Sequence, residues 1–274
     1  MSAEASAAAP RARSEMGRRV LTIAIGLPLF LVLLWRGGLP WTVLLGLLAL
    51  GGAWEWVQVS RAAGTLPAPA VVLAGTAALF GAAARRPDLL GPAVAAVTMA
   101  ALLAQLLPAY RPLALANAGA TALGAAYPAL FVTLDLLRAP SSGAPFTLLV
   151  VVAVWASDSA AMLGGRSFGR HALAPAISPK KTWEGAVSGL VGAIVAALAV
   201  AWPLDLPLGV AAAAGVVVAV AGLLGDLAES ALKRSAGVKD TGVLLPGHGG
   251  ILDRFDAMLF AAPAVYALLR WVIP

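Results

Sequence analysis

Residues 187–202 read Val-Ser-Gly-Leu-Val-Gly-Ala-Ile-Val-Ala-Ala-Leu-Ala-Val-Ala-Trp, without one charged side chain. With its flanks this gives an apolar segment over 184–203, and about 20 such residues wound as a helix cross the hydrocarbon of a bilayer. The same texture appears at Val20–Trp35 and recurs along the whole chain. Of the 274 residues, 61% are hydrophobic and 12% are charged, and the mean hydropathy is +0.90. Soluble domains carry about 45–50% apolar and about 25% charged residues. One water-soluble core cannot hide so much apolar surface, whereas lipid can.

Working outward, nine segments qualify as spans: 19–35, 39–58, 67–84, 89–108, 114–137, 146–164, 184–203, 207–225 and 255–273. The expected fold class is all-α, a polytopic integral membrane protein of about nine transmembrane helices. Residues 1–17 read as a disordered cytoplasmic tail, 18–145 as N-terminal transmembrane helices, and 146–274 as the transmembrane region that carries the chemistry. The first span is expected to be retained, because Trp35-Arg36-Gly37-Gly38 offers no small-residue cleavage site. Ala and Gly crowd several spans, as in Leu190–Ala201, which suits close helix packing in lipid.

Nine crossings put the termini on opposite sides. With the N-terminus in the cytoplasm, only Arg36, Arg85, Arg86, Arg138 and Arg270 fall outside, leaving 14 of the 19 basic residues inside. The bias favours that orientation. It also explains the net charge of +6 without a polyanionic partner, so no nucleic-acid binding is expected. Cysteine is absent, which removes disulfides, thiolate zinc sites and cysteine nucleophiles. The two longest polar connections, roughly 165–183 and 226–254, share the cytoplasmic side, and function is sought there.

The later connection begins Gly225-Asp226-Leu227-Ala228-Glu229-Ser230-Ala231-Leu232-Lys233-Arg234 and continues through Lys239-Asp240-Thr241-Gly242. It ends Pro246-Gly247-His248-Gly249-Gly250-Ile251-Leu252-Asp253-Arg254-Phe255-Asp256. Asp226, Glu229 and Lys233 stand at i, i+3 and i+7, so one helical face presents all three. Asp253 and Asp256 share a face in the same way. Clustered carboxylates suit Mg²⁺, which takes one or two of them and completes its shell with water and substrate phosphate. The interleaved Lys and Arg suit phosphate oxygens, and Pro-Gly-His-Gly-Gly is a backbone that a phosphate can approach closely. A plain charged loop would explain Asp253 and Asp256 as helix-start acids, but not Asp226 and Glu229 at the end of an apolar span.

The earlier connection runs from Asp158 through Gly164-Gly165-Arg166-Ser167-Phe168-Gly169-Arg170 to Ile177-Ser178-Pro179-Lys180-Lys181-Thr182-Trp183-Glu184-Gly185. Ser178 and Thr182 read as cap residues. Lys180 and Lys181, placed where a helix begins, oppose its dipole and call for an anion; positive-inside anchoring is the plainer alternative. Asp158 lies inside a span, where a carboxylate costs about 2.5–3.5 kcal/mol and usually faces a polar cavity. Asp135 reads as a snorkelling partner of Arg138, Glu55 between Trp54 and Trp56 as an interface-belt residue, and His171 as an ordinary loop residue. His248 has glycine neighbours but no second histidine near it.

The string Ser230-x-x-Lys233-Arg234, Lys239-Asp240-x-Gly242, Pro246-Gly247-His248-Gly249-Gly250-x-x-Asp253-Arg254-x-Asp256 resembles the C-terminal signature of the phosphatidate cytidylyltransferase family. The Gly-Arg-Ser-Phe-Gly-Arg and Ile-Ser-Pro-Lys-Lys-Thr-Trp-Glu-Gly stretches are similar to that family's other conserved segment. The resemblance covers the C-terminal part of the chain, about 120 residues. It departs at Ala257, where a small hydroxyl residue is common, and at Asp-Ser-Ala-Ala-Met from Asp158, where Asp-Thr-Gly-Ala-Tyr is common.

The resemblance implies an inner-membrane enzyme, a homodimer among membrane lipid, that makes CDP-diacylglycerol from CTP and phosphatidic acid at the cytoplasmic face. It implies Mg²⁺ with a second, monovalent cation such as K⁺. Carried over, Asp226, Asp253 and Asp256 are the expected metal ligands, and Lys233, Arg234, Lys239, Asp240 and Arg254 complete the catalytic set. Asp158, Arg166, Ser178, Lys180, Lys181, Thr182, Glu184, Ser230, His248, Gly249 and Gly250 would meet substrate. Two other readings use similar residues: another CTP-using membrane enzyme such as a polyprenol kinase, and a transporter of anions, which predicts charges toward the midplane rather than at one face.

Overall fold

Apolar helices account for most of the described residues. The computed structural model describes residues 24–140, 143–242, 244 and 249–272. The expected tail at 1–17 and His248 lie outside the described residues. In order, the helices are α1 (Ala24–Arg36), α2 (Gly38–Ala62), α3 (Pro69–Arg85), α4 (Leu90–Leu103), α5 (Ala114–Ala129), α6 (Val132–Arg138) and α7 (Gly143–Phe168). A hairpin of β1 (Ala172–Ala174) and β2 (Ser178–Thr182) precedes α8 (Trp183–Ala201), α9 (Leu208–Ser235) and α10 (Leu252–Val272).

Among the described residues, seven segments are long and apolar enough to cross a membrane: α2, α7, α8, α9, α10, the stretch Pro87–Leu106 around α4, and Pro108–Arg138, which joins α5 to α6. The exact count of nine is not confirmed: the remaining two predicted spans fall on the apolar helices α1, described from Ala24 onward, and α3, which has 17 residues. The 17 residues of α3 rise about 25 Å, less than the roughly 30 Å of hydrocarbon, because Arg85 and Pro87 end it.

Two groups of helices pack side by side. In one, α7, α8, α9 and α10 pack in succession; in the other, α3 lies between α2 and α5 and also contacts α4. The short α6 joins them, contacting α2, α7 and α10. Aromatic rings fill this junction. Phe30 meets Trp41 edge to face at 5.1 Å, and Phe131 meets Phe255 in the same way at 5.1 Å. Rings at such separations gain about 0.5–1.5 kcal/mol beyond their burial.

The closest seam lies between α7 and α8, where lipid supplies no hydrophobic drive and backbone contact must do the work. A Cβ added at Gly189 would stand 3.1 Å from the Ala161 Cβ and 3.1 Å from the Ser157 carbonyl oxygen. At Gly192 it would stand 2.6 Å from the Ala160 Cβ. We expect Gly192→Val to cost about 1–3 kcal/mol through overpacking, seen as a lowered Tm in detergent. Gly209→Ala, at a glycine with nothing within 4 Å, is the control expected to melt like the parent.

The remaining structure serves one end of the bundle. In the hairpin Ala172 pairs with Thr182 and Ala174 with Ser178. Thr182 caps α8, accepting from the Gly185 amide at 3.1 Å, as its residue type predicts. Ser178 does not cap: it lies in β2, because the chain turns at 175–177 and reaches the helix only at Trp183. Helix α9 also runs ten residues past the predicted end at 225. Its 28 residues rise about 42 Å, so the apolar part to Gly225 uses about 27 Å and leaves Asp226 at the hydrocarbon boundary.

At the opposite end the expected Asp135–Arg138 pair is not found. Thr42 donates to Asp135 at 2.8 Å and receives Arg85 at 2.8 Å, while Arg138 donates to the carbonyls of Leu34 and Trp35, both at 2.7 Å. The last turn of α1 leaves carbonyls without helical partners, and a guanidinium satisfies two of them at once.

Candidate active site

The last three turns of α9 and the first of α10 face one another. On α9, Asp226, Glu229 and Lys233 fall on one face, as their spacing dictates. Lys233 Nζ donates to Glu229 Oε1 at 3.2 Å and to Asp253 Oδ1 of α10 at 2.7 Å. This lysine therefore ties the two helices together. Its side chain is 13% exposed, and those of Glu229 and Asp253 are 2% and 6% exposed. Tyr127 on α5 closes the chain of contacts, its hydroxyl donating to Glu229 Oε2 at 3.3 Å.

Asp253 is fully engaged. Its Oδ2 accepts from the Thr241 amide at 2.7 Å, the Thr241 hydroxyl at 3.0 Å and the Gly250 amide at 3.0 Å. Asp226 accepts from Ser230 at 3.3 Å and pairs with Lys181 of β2 at 2.5 Å. That ion pair brings the two polar connections to the same end of the bundle. Among the described residues, Asp256 accepts its own helix amide, from Ala257 at 2.7 Å. Asp226 and Asp158 both stand near enough to Asp256 to repel it, and Asp158 of α7 is itself near enough to feel both Asp226 and Lys181.

Several predicted residues thus converge: Asp158, Lys181, Asp226, Ser230, Lys233, Asp253 and Asp256 share one site. Arg234, Lys239 and Asp240 are exposed beside it, as are Arg166 and Lys180 at its hairpin edge. Arg254 is exposed in the first turn of α10, and its guanidinium lies by Gly249. Glu184 points into the hairpin, receiving the amides of Arg170 at 3.1 Å and His171 at 3.3 Å, with His171 Nδ1 at 2.6 Å from its Oε1. His171 is a loop residue, as expected.

One resident of the site was misread from sequence. Glu55 is not an interface residue: it is 1% exposed. Its carboxylate receives the Ile251 amide at 2.8 Å, the Leu252 amide at 2.9 Å and the Thr241 hydroxyl at 3.2 Å. It thereby caps α10 from a helix nearly 200 residues away. A carboxylate alone in an apolar run was the available signal, and the flanking tryptophans concealed it. The bare face of Gly250 lies against this acid, since a Cβ there would come within 2.7 Å of Glu55 Oε2 and 3.0 Å of Asp253 Oδ2. Gly249 has φ +86°, a left-handed backbone that glycine adopts freely.

Six carboxylates (Glu55, Asp158, Asp226, Glu229, Asp253 and Asp256) thus surround two ammonium groups, Lys181 and Lys233. Among the described residues, no three acids or histidines form a preassembled metal centre. The donor chemistry nonetheless fits a hard divalent cation. Asp226 and Asp256 are oxygen donors that repel each other and hold no lysine jointly, so a cation between them would relieve the excess charge.

The model of the cytidylyltransferase family matches residues 17–272. A relative named phosphatidate cytidylyltransferase, from Synechocystis sp., is 33% identical over 287 residues, 94% of this chain and 97% of the relative. One of the same name from Staphylococcus aureus is 32% identical over 259 residues, 92% of this chain and 98% of its own length. Phosphatidate cytidylyltransferase 5, chloroplastic, from Arabidopsis thaliana is 46% identical over 125 residues, 45% of this chain and 31% of its own.

Proposed function

This chain belongs to the cytidylyltransferase family, and from that premise we propose how its residues carry the reaction. It is a membrane enzyme that transfers a cytidylyl group from CTP to phosphatidate, giving CDP-diacylglycerol and pyrophosphate for phospholipid synthesis. The observation that supports the site reading is the meeting of α9, α10 and β2 at one end of the bundle, through Lys233–Asp253 and Lys181–Asp226.

A phosphate oxygen of phosphatidate attacks the α-phosphorus of CTP, and the bond to the pyrophosphate oxygen breaks. The nucleophile is already an anion, so no strong base is needed. What must be overcome is repulsion between two polyanions and charge growing on the leaving group. Lys181, Lys233, Arg234, Lys239 and Arg254 would take phosphate oxygens, with Arg166 and Lys180 at the rim. Asp226 and Asp256 would hold Mg²⁺, with Asp253 beside them; a bound cation supplies charge neutralisation at the phosphates. Asp253 also aims Lys233. A monovalent cation such as K⁺ and a homodimer are further parts of this reading.

The site end faces the cytoplasm in this reading, since CTP arrives from there and 14 of 19 basic residues fall on that side in the nine-span arrangement. CTP enters from water, and the lipid headgroup arrives laterally from the leaflet. The purified chain, given labelled CTP, Mg²⁺ and phosphatidate in detergent, is expected to yield a CDP-lipid and pyrophosphate, and EDTA to stop it. Release of CDP instead of pyrophosphate would mean a kinase and overturn the proposal. Product formation unchanged by EDTA would remove the divalent ion.

A further inference from the structure

We propose that Glu55 is a positioning residue for the transfer: from α2 it fixes Thr241, Ile251 and Leu252 at the first turn of α10, and so sets where Asp253, Asp256 and Lys233 stand. The inference rests on the functional reading above for the reaction it serves. The link itself is independent of that reading.

The geometry separates this acid from an ordinary buried polar group. A helix start leaves amide groups without partners, and here two of them, from Ile251 and Leu252, go to the two oxygens of one distant carboxylate at 2.8 and 2.9 Å. The next residue is Asp253. Placement of the cap is therefore placement of the acid. Thr241 makes the connection tighter. Its hydroxyl stands 3.2 Å from Glu55 Oε2 and 3.0 Å from Asp253 Oδ2, with one proton to share between them. Glu55 and Asp253 thus grip the same loop from opposite sides.

The sequence of the loop is fitted to this grip. A Cβ at Gly242 would stand 2.8 Å from Glu55 Oε1, and one at Gly250 would stand 2.7 Å from Oε2. A larger residue at either position would displace the carboxylate or the loop. Carboxylates that touch neither substrate nor metal but orient those that do typically matter by about 10–100-fold.

Glutamine tests the proposal at constant shape. In Glu55→Gln one oxygen becomes an NH₂ group, which cannot accept the backbone amide that faces it. The expected result is a tenfold to hundredfold loss of kcat with KM for CTP changed by less than about threefold. Hydrogen exchange at Ile251 and Leu252 is expected to accelerate at the same time. Thr76→Val is the control: Thr76 is also fully buried and donates to the Ala125 carbonyl at 3.1 Å, far from the loop. It is expected to lower Tm comparably while keeping kcat and the exchange of 251–252. A Glu55→Gln chain with parental kcat and parental exchange overturns the proposal, as does a loss of kcat matched by Thr76→Val at equal Tm. If the parent makes no CDP-diacylglycerol, the reaction assigned above fails, while the exchange at 251–252 still decides the link.

Discussion

A chain carrying Lys233→Met is expected to lose turnover by about 10²–10³-fold and to melt well below the parent. The two effects have one cause. Lys233 is the shared cation of Glu229 and Asp253, at 3.2 and 2.7 Å, and both acids are almost wholly enclosed. Methionine keeps the length of the side chain and removes the charge. Two carboxylates are then left in a poorly solvated place with no counterion, and breaking such a group by deleting one partner costs about 3–5 kcal/mol. Turnover falls because Asp253 loses its anchor to α9 and the phosphates lose a cation. Lys233→Arg is expected to recover much of the stability but little of the rate, since a planar fork cannot reproduce a point charge between two acids. Thermal unfolding in detergent and initial rates with labelled CTP check both. A Lys233→Met chain that melts with the parent would show that α9 and α10 are not joined through this residue.

Asp256→Asn is expected to act with opposite signs on the two measurements. Turnover is expected to fall about 10³-fold, the effect of removing several kcal/mol of charge stabilisation at the reacting phosphates. The cation-free chain is expected to become more stable by about 1 kcal/mol, because Asp256 is repelled by Asp226 and Asp158 and, among the described residues, accepts its own helix amide. Sites that hold ions are built at a cost to the empty protein. Adding Mg²⁺ should therefore raise the Tm of the parent more than that of Asp256→Asn. Equal shifts in the two proteins would place the ion elsewhere.

The sequence was informative wherever a signal was local. Helix positions followed from apolar runs, and the faces of α9 and α10 followed from spacings of three and four residues. The cap at Thr182 followed from residue type. The count of spans is least legible at α3, where a basic residue and a proline shorten the helix, and the apolar span of α9 stops at Gly225 while its helical bonding continues, as the register of Asp226, Glu229 and Lys233 indicates. Asp135 and Glu55 failed for a different reason. Each has its partners far away in the chain: Thr42 of α2 for the first, and Thr241, Ile251 and Leu252, at and before the start of α10, for the second. A periodicity cannot point across the bundle. Glu229 stood in the right register in the sequence, but its enclosure with Tyr127 and Lys233 arises only from packing.

The reach of Glu55 also has a bearing on how the protein is made. Its partner amide at Ile251 is 196 positions later in the chain, and synthesis at about 5–20 residues per second puts roughly 10–40 s between the two. During that interval the acid in the apolar length of α2 has none of the amides that hold it in the folded chain, and they become available only once Ile251 and Leu252 have been made.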